Sequence, residues 1–518
     1  MLPKIRIHTL RIGASANVNV LAIAIATPLA FLTTAAQADV TISSGATMNM
    51  TCSGGVCSPT AKDAVLNVEK LEDMLASGSV EVTTGNLAKE LTVTASLTWA
   101  TSNTLTLDAF RSISIDNHVA IKGAGTLDLI TNDGGTGGRL AFGNGGRVTF
   151  ANLAAALTIN GTSYTLLNNL ATLASDVAAD PIGDFALTRN YNASADGTYA
   201  ASPIPTAFTG TFEGLGNSIS NLTISDVSAV EVGLFAEVDK GGNLRDIGLV
   251  KANVAGLSVG PCDVGALAAV NYGVLDNDFV TGILVGGYGN YAGALVGINY
   301  LGGNIFNSHA SNTVTSGYRS YTGGLVGKDY GAIASSYATG TANDGYSSDT
   351  GALVGYNRGT IDQSFATGAG NSGYSSHTGG LVGYNSSAIT NAYATGAVTA
   401  VGASSNGGLV GYNDGTIAYA YSTGAATGDG SKGSYVGGLI GFDTSSLGSL
   451  SDTYWDTTTS GIGKNHGAGN IPNDPGIKGK TTAKLQLRLP RGFSKKVWGE
   501  DSNINGGLPY LLANPPPS

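Results

Sequence analysis

Hydrophobic and polar positions follow two regimes along the chain. Between Gly265 and Gly441 a pentapeptide close to GGLVG recurs seven times, centred on Leu267, Leu295, Leu325, Leu353, Leu381, Leu409 and Leu439, at intervals of 28, 30, 28, 28, 28 and 30 residues. A period this strict predicts one supersecondary unit stacked on copies of itself. Four residues after each Leu stands Asn271, Asn299, Asp329, Asn357, Asn385, Asn413 or Asp443. An apolar column lies eight after it (Leu275, Ile333, Ile361, Ile389, Ile417, Leu447), which the second repeat reaches at Ile305 after a two-residue insertion. Twelve after it come Phe279, Tyr337, Phe365, Tyr393 and Tyr421, with His309 in the same column once the insertion is allowed for. Side chains alternate along a strand, so an Ile and the aromatic four residues on are expected to share one strand face. Turns such as Thr367-Gly368 follow. Each repeat is therefore predicted to be one coil of two or three short parallel strands, with coils about 4.8 Å apart. Like residues then stack as ladders, Leu on Leu and Asn on Asn.

Upstream the pattern is looser. Residues 39–160 alternate apolar and polar positions in short runs (104–107, 112–115, 126–129), separated by turns such as Asn132-Asp133-Gly134-Gly135, which predicts an irregular β region. Within it Val65, Val68, Leu71 and Leu75 fall on one helical face over 63–75. A second helical pattern over 164–179 carries Leu166, Leu167, Leu170 and Leu173 and precedes a Pro-containing stretch ending at Pro205, so 161–205 is expected to be a cap or junction. Solenoids cover their open strand edges in this way. Residues 208–224 have the look of a first full coil, which gives a β-solenoid over 206–443. The remainder, 444–518, leaves the pattern with a Tyr454-Trp455-Asp456 cluster, Trp498 and a Pro-rich tail, and is expected to be the closing cap.

Composition supports a folded β protein. The 518 residues include 77 Gly and 14 Pro with 12% charged, which is too apolar and too weakly charged for a disordered chain. Residues 1–38 have the form of a signal peptide: Lys4, Arg6 and Arg11, then an uncharged stretch over 18–32, then Ala36-Gln37-Ala38. That stretch is shorter than the about 20 apolar residues of a membrane helix. Export is expected, with a mature chain from Asp39, no later transmembrane segment, and a secreted or cell-surface location. Removal of the leader leaves 23 basic against 36 acidic residues, a net charge of −13. This excess disfavours nucleic acid as a partner, since phosphate binding depends on Lys and Arg.

Cys52 and Cys57, separated by Ser-Gly-Gly-Val, are candidates for a local disulfide in an oxidising compartment, leaving Cys262 over. A structural zinc site would need further ligands nearby, and none is present. No metal or cofactor is expected.

Residues one period apart become neighbours in a solenoid. Asp349, His377 and Ser405 occupy equivalent places in three successive repeats, in the order of a nucleophilic triad, but Tyr291 and Tyr321 fill that column earlier, which points to a variable exposed loop. Tyr288, Tyr318, Tyr346 and Tyr374 form a row in Gly-Tyr turns just before the GGLVG strand. Such a row either stacks on itself or offers aromatic area with a polar tip to sugars or proteins, and these four are the candidate ligand-binding residues. The Asn/Asp column is expected to be structural. The loop carboxylates Asp344, Asp414 and Asp429 have no spacing of a calcium loop. Eight basic residues and one acidic residue between Lys464 and Lys496 give a local charge of +7, expected on a solvated face. A polysaccharide lyase or hydrolase would need converging carboxylates; Asp344, Asp349, Asp362 and Glu237 lie at different coil positions, so no catalytic set is assigned and the chain is not expected to be an enzyme.

The repeat block, as in GALVGYNRGTIDQSFATG (351–368) and GGLVGYNSSAITNAYATG (379–396), resembles the GLUG motif of bacterial surface proteins. GTLDLITNDGGTGGRLAFGNGGRVTF (125–150) is similar to segments of filamentous-haemagglutinin-type proteins, and FTGTFEGLGNSISNLTI to the coil that precedes GLUG arrays. YWDTTTSG, TTAKLQ and NGGLPYL resemble the close of such arrays. The resemblance implies a right-handed parallel β-helix and a secreted or surface-attached adhesin that binds a glycan or protein on host, matrix or cell envelope. The other functions weighed are a polysaccharide-active β-helix enzyme and a passive surface spacer. Haemagglutinin-type exoproteins use an outer-membrane export partner through an NPNG-like element that this sequence lacks, so such a partner is implied by the resemblance alone. GLUG repeats also occur in immunoglobulin-cleaving metallopeptidases, whose HExxH motif is absent from this sequence.

Overall fold

The computed structural model describes residues 39–143, 145–258 and 260–517; the signal peptide expected at 1–38 lies outside them. The region expected to be irregular β is instead wound into regular parallel coils. One sheet stacks Ala64–Asn67, Asp39–Ser43, Glu90–Val93, Ser112–Ile115 and Leu140–Phe142. A second stacks Leu97–Trp99, His118–Ile121 and Arg147–Phe150. A third row holds Val80–Thr83, Thr104–Asp108, Thr126–Ile130 and Ala156–Ile159. The strict alternation is visible in sequence, but the step is uneven: Leu105 pairs with Leu127, 22 residues on, whereas Leu127 pairs with Leu157, 30 on. No repeated peptide marks the coils, so periodicity alone does not reveal them.

Helix α1 (Val68–Ser77) is shorter than its sequence pattern, because 64–67 is taken by a strand and Asn67 caps the helix by accepting from the Lys70 N–H. A hairpin turning at Asn160-Gly161, both with positive φ, reverses the chain. Tyr164 to Leu167, expected in a helix, lie in the strand Thr162–Leu167, and helix α2 covers only Leu170–Ala179. Its Leu170, Leu173 and Val177 close the end of the second core. Within the expected junction, Asp184–Leu187, Tyr191–Asn192 and Thr198–Tyr199 already stack in register under the coil at 211–226. The two stacks are tied directly: the Val148 N–H donates to Leu215 O, and Asn217 Nδ2 to Val148 O.

From there the coils repeat in parallel register to residue 456. Each holds four or five short strands, as in Tyr321–Gly323, Val326–Asp329, Ala332–Ala334, Tyr337–Ala338 and Thr341–Asn343, more than the two or three expected. The extra corners come from residues in the left-handed region, one column of which is Asn277, Asn307, Ser335, Gln363, Asn391 and Tyr419. The pentapeptide is itself a corner. All seven Leu side chains are fully buried, and the Leu N–H groups from Leu267 to Leu409 each donate to the Leu carbonyl of the next coil at 2.8–3.1 Å. A side chain at Gly323, Gly351, Gly379 or Gly407 would run into the carbonyl of the Val three residues on, so the corner closes only with Gly. Each buried Leu stabilises the stack by on the order of 2 kcal/mol.

The left-handed column also overturns one expectation. It sits between the Ile column and the aromatic column and breaks the alternation between them, so the two do not share a face. Ile333, Ile361, Ile389 and Ile417 point into the main core, whereas Phe365, Tyr393 and Tyr421 form an outer cluster with Tyr454. Leu447 is a second correction: it is 92% exposed, and Leu450 pairs with Ile417 instead.

The Asn column forms a buried ladder. Asn271 donates to Asn299 and Asn299 to Asp329, then Asn357 to Asn385, Asn385 to Asn413 and Asn413 to Asp443, all at 2.7–2.8 Å.

The expected closing cap divides in two. Leu450–Asp456 and Ile477–Lys480 add further strands to the stack. Residues 481–517 then run back along its side as a strap over the aromatic column. Tyr454 Oη donates to Arg491 O, Tyr421 Oη to Pro509 O, and Trp498 Nε1 to Asn391 Oδ1.

Candidate functional site

The loop tips carry the Tyr288, Tyr318, Tyr346 and Tyr374 row, all four rings 40–56% exposed. Each is positioned by a tripeptide: the Tyr, a residue with positive φ (Gly289, Arg319, Ser347, Ser375), then Asn290, Ser320, Ser348 or Ser376 buried beneath. The Ser hydroxyls accept from the N–H one coil back: Asn290 N to Ser320 Oγ, Ser320 N to Ser348 Oγ, Ser348 N to Ser376 Oγ and Ser376 N to Ser404 Oγ. This ladder sets the spacing of the rings above it. Tyr288 and Tyr318 stack with centroids 5.7 Å apart and planes 13° apart. Tyr346 tilts 56° from Tyr318, and the Arg319 guanidinium lies 5.5 Å from the Tyr318 ring. The Tyr374 ring occupies the space that a side chain at Gly402 would need.

A second aromatic surface, which the sequence analysis does not single out, is spelled by the motif itself. The Tyr of GGLVGYN, three after the Leu, gives Tyr356, Tyr384 and Tyr412, with Phe442 in register beyond them. Their rings stack at 4.9, 4.6 and 5.5 Å. In this column Lys328 stands in place of an aromatic. Its Nζ is 4.7–5.4 Å from the centroids of Tyr291, Tyr321, Tyr330 and Tyr356, a cation–π setting worth about 0.5–2 kcal/mol. Tyr272, Tyr300 and Tyr330 line one flank, stacked at 4.5 and 6.0 Å, and Tyr291 and Tyr321 the other at 5.3 Å. Within such ladders each ring face is covered by its neighbour, so ring edges and phenolic hydroxyls face outward. Free faces arise where the stack tilts, as at Tyr318/Tyr346 and at Tyr321/Tyr356 with 40° between planes.

Asp349 and His377 lie beside this surface. His377 Nδ1 and Asp349 Oδ1 are 2.7 Å apart, and the imidazole packs 5.6 Å from Tyr384 and 5.0 Å from Tyr412. Ser405 follows in register on the next coil, but its main-chain N–H donates to Ser376 O, and among the described residues no hydrogen bond joins its hydroxyl to His377. The column supplies a hydrogen-bonded Asp–His pair and no nucleophile in reach of it. Asp344 accepts from Thr322 Oγ1, and burial pushes its carboxyl up to about 8. Asp362 accepts from Thr390 and Asn391, and Asp429 from the Gly402 N–H. Burial also raises the Glu237 carboxyl. These carboxylates thus serve separate partners. Among the described residues no group of three His, Cys, Asp or Glu side chains is placed to hold a metal ion.

Cys52 and Cys57 are joined by a disulfide across a hairpin, and Cys262 is a buried thiol that burial pushes up to about 12. In the basic segment, the Lys480 ammonium sits 4.8 Å from the Tyr454 ring. No helix among the described residues is long and apolar enough to cross a membrane.

A family model for the GLUG motif matches residues 288–315 and 374–399. The chain carries GLUG repeats on a parallel β-solenoid. Over 105 residues it is 39% identical to Halomucin of Haloquadratum walsbyi, a match that covers 20% of this chain and spans 1% of Halomucin. The crystal structure of a "putative immunoglobulin A1 protease" from Bacteroides ovatus is similar over 68% of this chain and 93% of that one, with a TM-score of 0.37 and 18% identity.

Proposed function

We propose that the protein is an adhesin-like structural protein, secreted or held at the cell surface, that binds a glycan or protein ligand of host, matrix or envelope along its repeated aromatic rows. GLUG repeats on a β-solenoid fit a surface repeat protein. The observation that carries the reading is the fixed presentation of Tyr side chains coil after coil, each loop-tip ring set by the buried Ser ladder beneath it. Rigid aromatic groups with polar tips offer contact area at low entropic cost, and a ligand that spans several coils gains from multivalency. Export through the inner membrane by a signal peptide, and across an outer membrane by a partner, belongs to the same proposal.

The test is to incubate residues 39–518 with panels of glycans, envelope polysaccharides and matrix proteins, scoring binding and product release together. Saturable binding without turnover, weakened when Tyr318, Tyr346 and Tyr374 are replaced by Ala, supports the reading. Cleaved polysaccharide, or binding indifferent to those replacements, overturns it.

A further inference from the structure

The two stacks meet along a groove that none of these rows occupies. Its main lobe has a volume of about 440 Å³ and a second lobe about 240 Å³, and the two share Phe142, Gly143, Asp246 and Asn277, so they form one continuous cleft. The main lobe falls within the range of about 300–1,000 Å³ typical of small-molecule sites.

Each wall contributes an aromatic ring. Phe142 comes from the first stack. Phe279 comes from the second, where it begins the ladder that continues through His309 and Tyr337 at 5.3 and 4.7 Å. It begins there because the preceding coil has Gly248 in that register, and the Phe279 ring leans into the space a side chain at Gly248 would fill. Phe279 is thus the one ring of this ladder with no aromatic partner toward the first stack. His309 behind it stays neutral, since burial holds its imidazole down to about 4.

The polar lining is mixed in kind. Arg139 and Arg147 line it beside three carboxylates, each with one oxygen already accepting: Asp116 from Ser114, Asp246 from Asn277 and Asp276 from Asn307, which leaves the second oxygen of each as an acceptor. Two arginines face three carboxylates, and burial raises the Asp246 carboxyl to about 7, so neither sign of charge dominates the lining. Apolar ring faces beside interleaved donors and acceptors match a ligand with a C–H face and a rim of hydroxyls that both donate and accept.

We propose that this groove binds a neutral pyranose unit of a polysaccharide chain, with Phe142 and Phe279 against the sugar ring and Arg147 and Asp246 on its hydroxyls. The site is separate from the Tyr rows and stands or falls without them. The test is calorimetric titration of residues 39–518 with neutral hexasaccharides of glucose, mannose, galactose and N-acetylglucosamine. At least one is expected to bind saturably, and Phe279→Ala and Arg147→Gln each to weaken it by about tenfold, the scale of one lost stacking or charge-assisted contact. Leu447→Ala, at a position 92% exposed and outside the groove and the Tyr rows, should leave that binding unchanged. Among the described residues the Arg147 guanidinium donates to the neighbouring Gly145 carbonyl and to no other hydrogen-bond acceptor, so Arg147→Gln should melt like the parent and decides the matter if Phe279→Ala fails to fold. The inference is overturned if no hexasaccharide binds, if Arg147→Gln binds as tightly as the parent, or if affinity follows Tyr346 and Tyr374 instead.

Discussion

Asn514 Nδ2 donates to the main-chain carbonyls of Ser336 at 3.2 Å and Gln363 at 3.3 Å, clamping the end of the chain to coils that lie 178 and 151 residues earlier. The strap between carries Phe493, Trp498 and Leu511 onto Phe365, Tyr393, Tyr421 and Tyr454, all of which are buried.

Removing residues 481–518 is therefore expected to expose a continuous aromatic stripe, read as a gain in ANS fluorescence and a lower urea midpoint. Trp498→Ala should cost about 3–5 kcal/mol and Trp498→Phe less. Because coils interact mainly with their neighbours, hydrogen exchange should rise in the C-terminal coils and not in 39–160. Parent-like exchange in Trp498→Ala would show that the strap does not hold this face.

The strap is not legible in the sequence, whereas the coils beneath it are, and the reason is physical. A repeat leaves its period in the sequence because every coil must satisfy the same corner, which at Gly323 and Gly351 tolerates no side chain. A strap meets each coil once, so Tyr421 to Pro509 and Trp498 to Asn391 leave no pattern. The Ile and aromatic columns are legible as columns but not as separate faces, since a left-handed Ser335 or Gln363 has no unmistakable residue signature. The loop-tip Tyr row followed from the Gly-Tyr turns. The GGLVGYN tyrosines do not read as a surface, because a residue that defines the motif passes for part of its frame.

The Asn ladder predicts a pH dependence. Asp329 accepts from Asn299 and from the Gly331 N–H, its Oδ2 has no hydrogen-bond partner among the described residues, and burial raises its carboxyl to about 7. The unfolded value is near 3.9, so between about pH 4 and 7 the folded chain holds a proton that the unfolded chain has released. Stability from this group is full below pH 4 and falls as pH rises toward 7. Asp329→Asn removes the titration and supplies an amide able to donate to the next coil. Its urea midpoint should exceed the parent's at pH 8, and the gap should narrow at pH 5. An equal gap at both would exclude Asp329 as the source.

Cysteine chemistry gives a count to check. Cys262 is buried with its thiol pushed up to about 12, and the thiolate is the reactive form. Ellman titration of oxidised protein should find no reactive thiol in the native state, one in denaturant, and three in denaturant after reduction. Three without a reductant would mean that Cys52 and Cys57 are not paired.

Gly402 separates position from contact in the Tyr row. It has φ +71°, where a side chain is strained, and the Tyr374 ring lies where its Cβ would go. Gly402→Ala should therefore destabilise by about 1 kcal/mol or more and swing Tyr374 off its resting place. Ser404 two residues on accepts from the Ser376 N–H, so the disturbance is expected to pass into the loop that holds Tyr374. Hydrogen exchange should rise over 372–376 and 400–404 with little change at 286–290. If ligands grip the row through rings held in place, Gly402→Ala will weaken binding though it removes no ring. Binding lost with Tyr374→Ala but kept with Gly402→Ala would show that the ring acts through its area alone, wherever it swings.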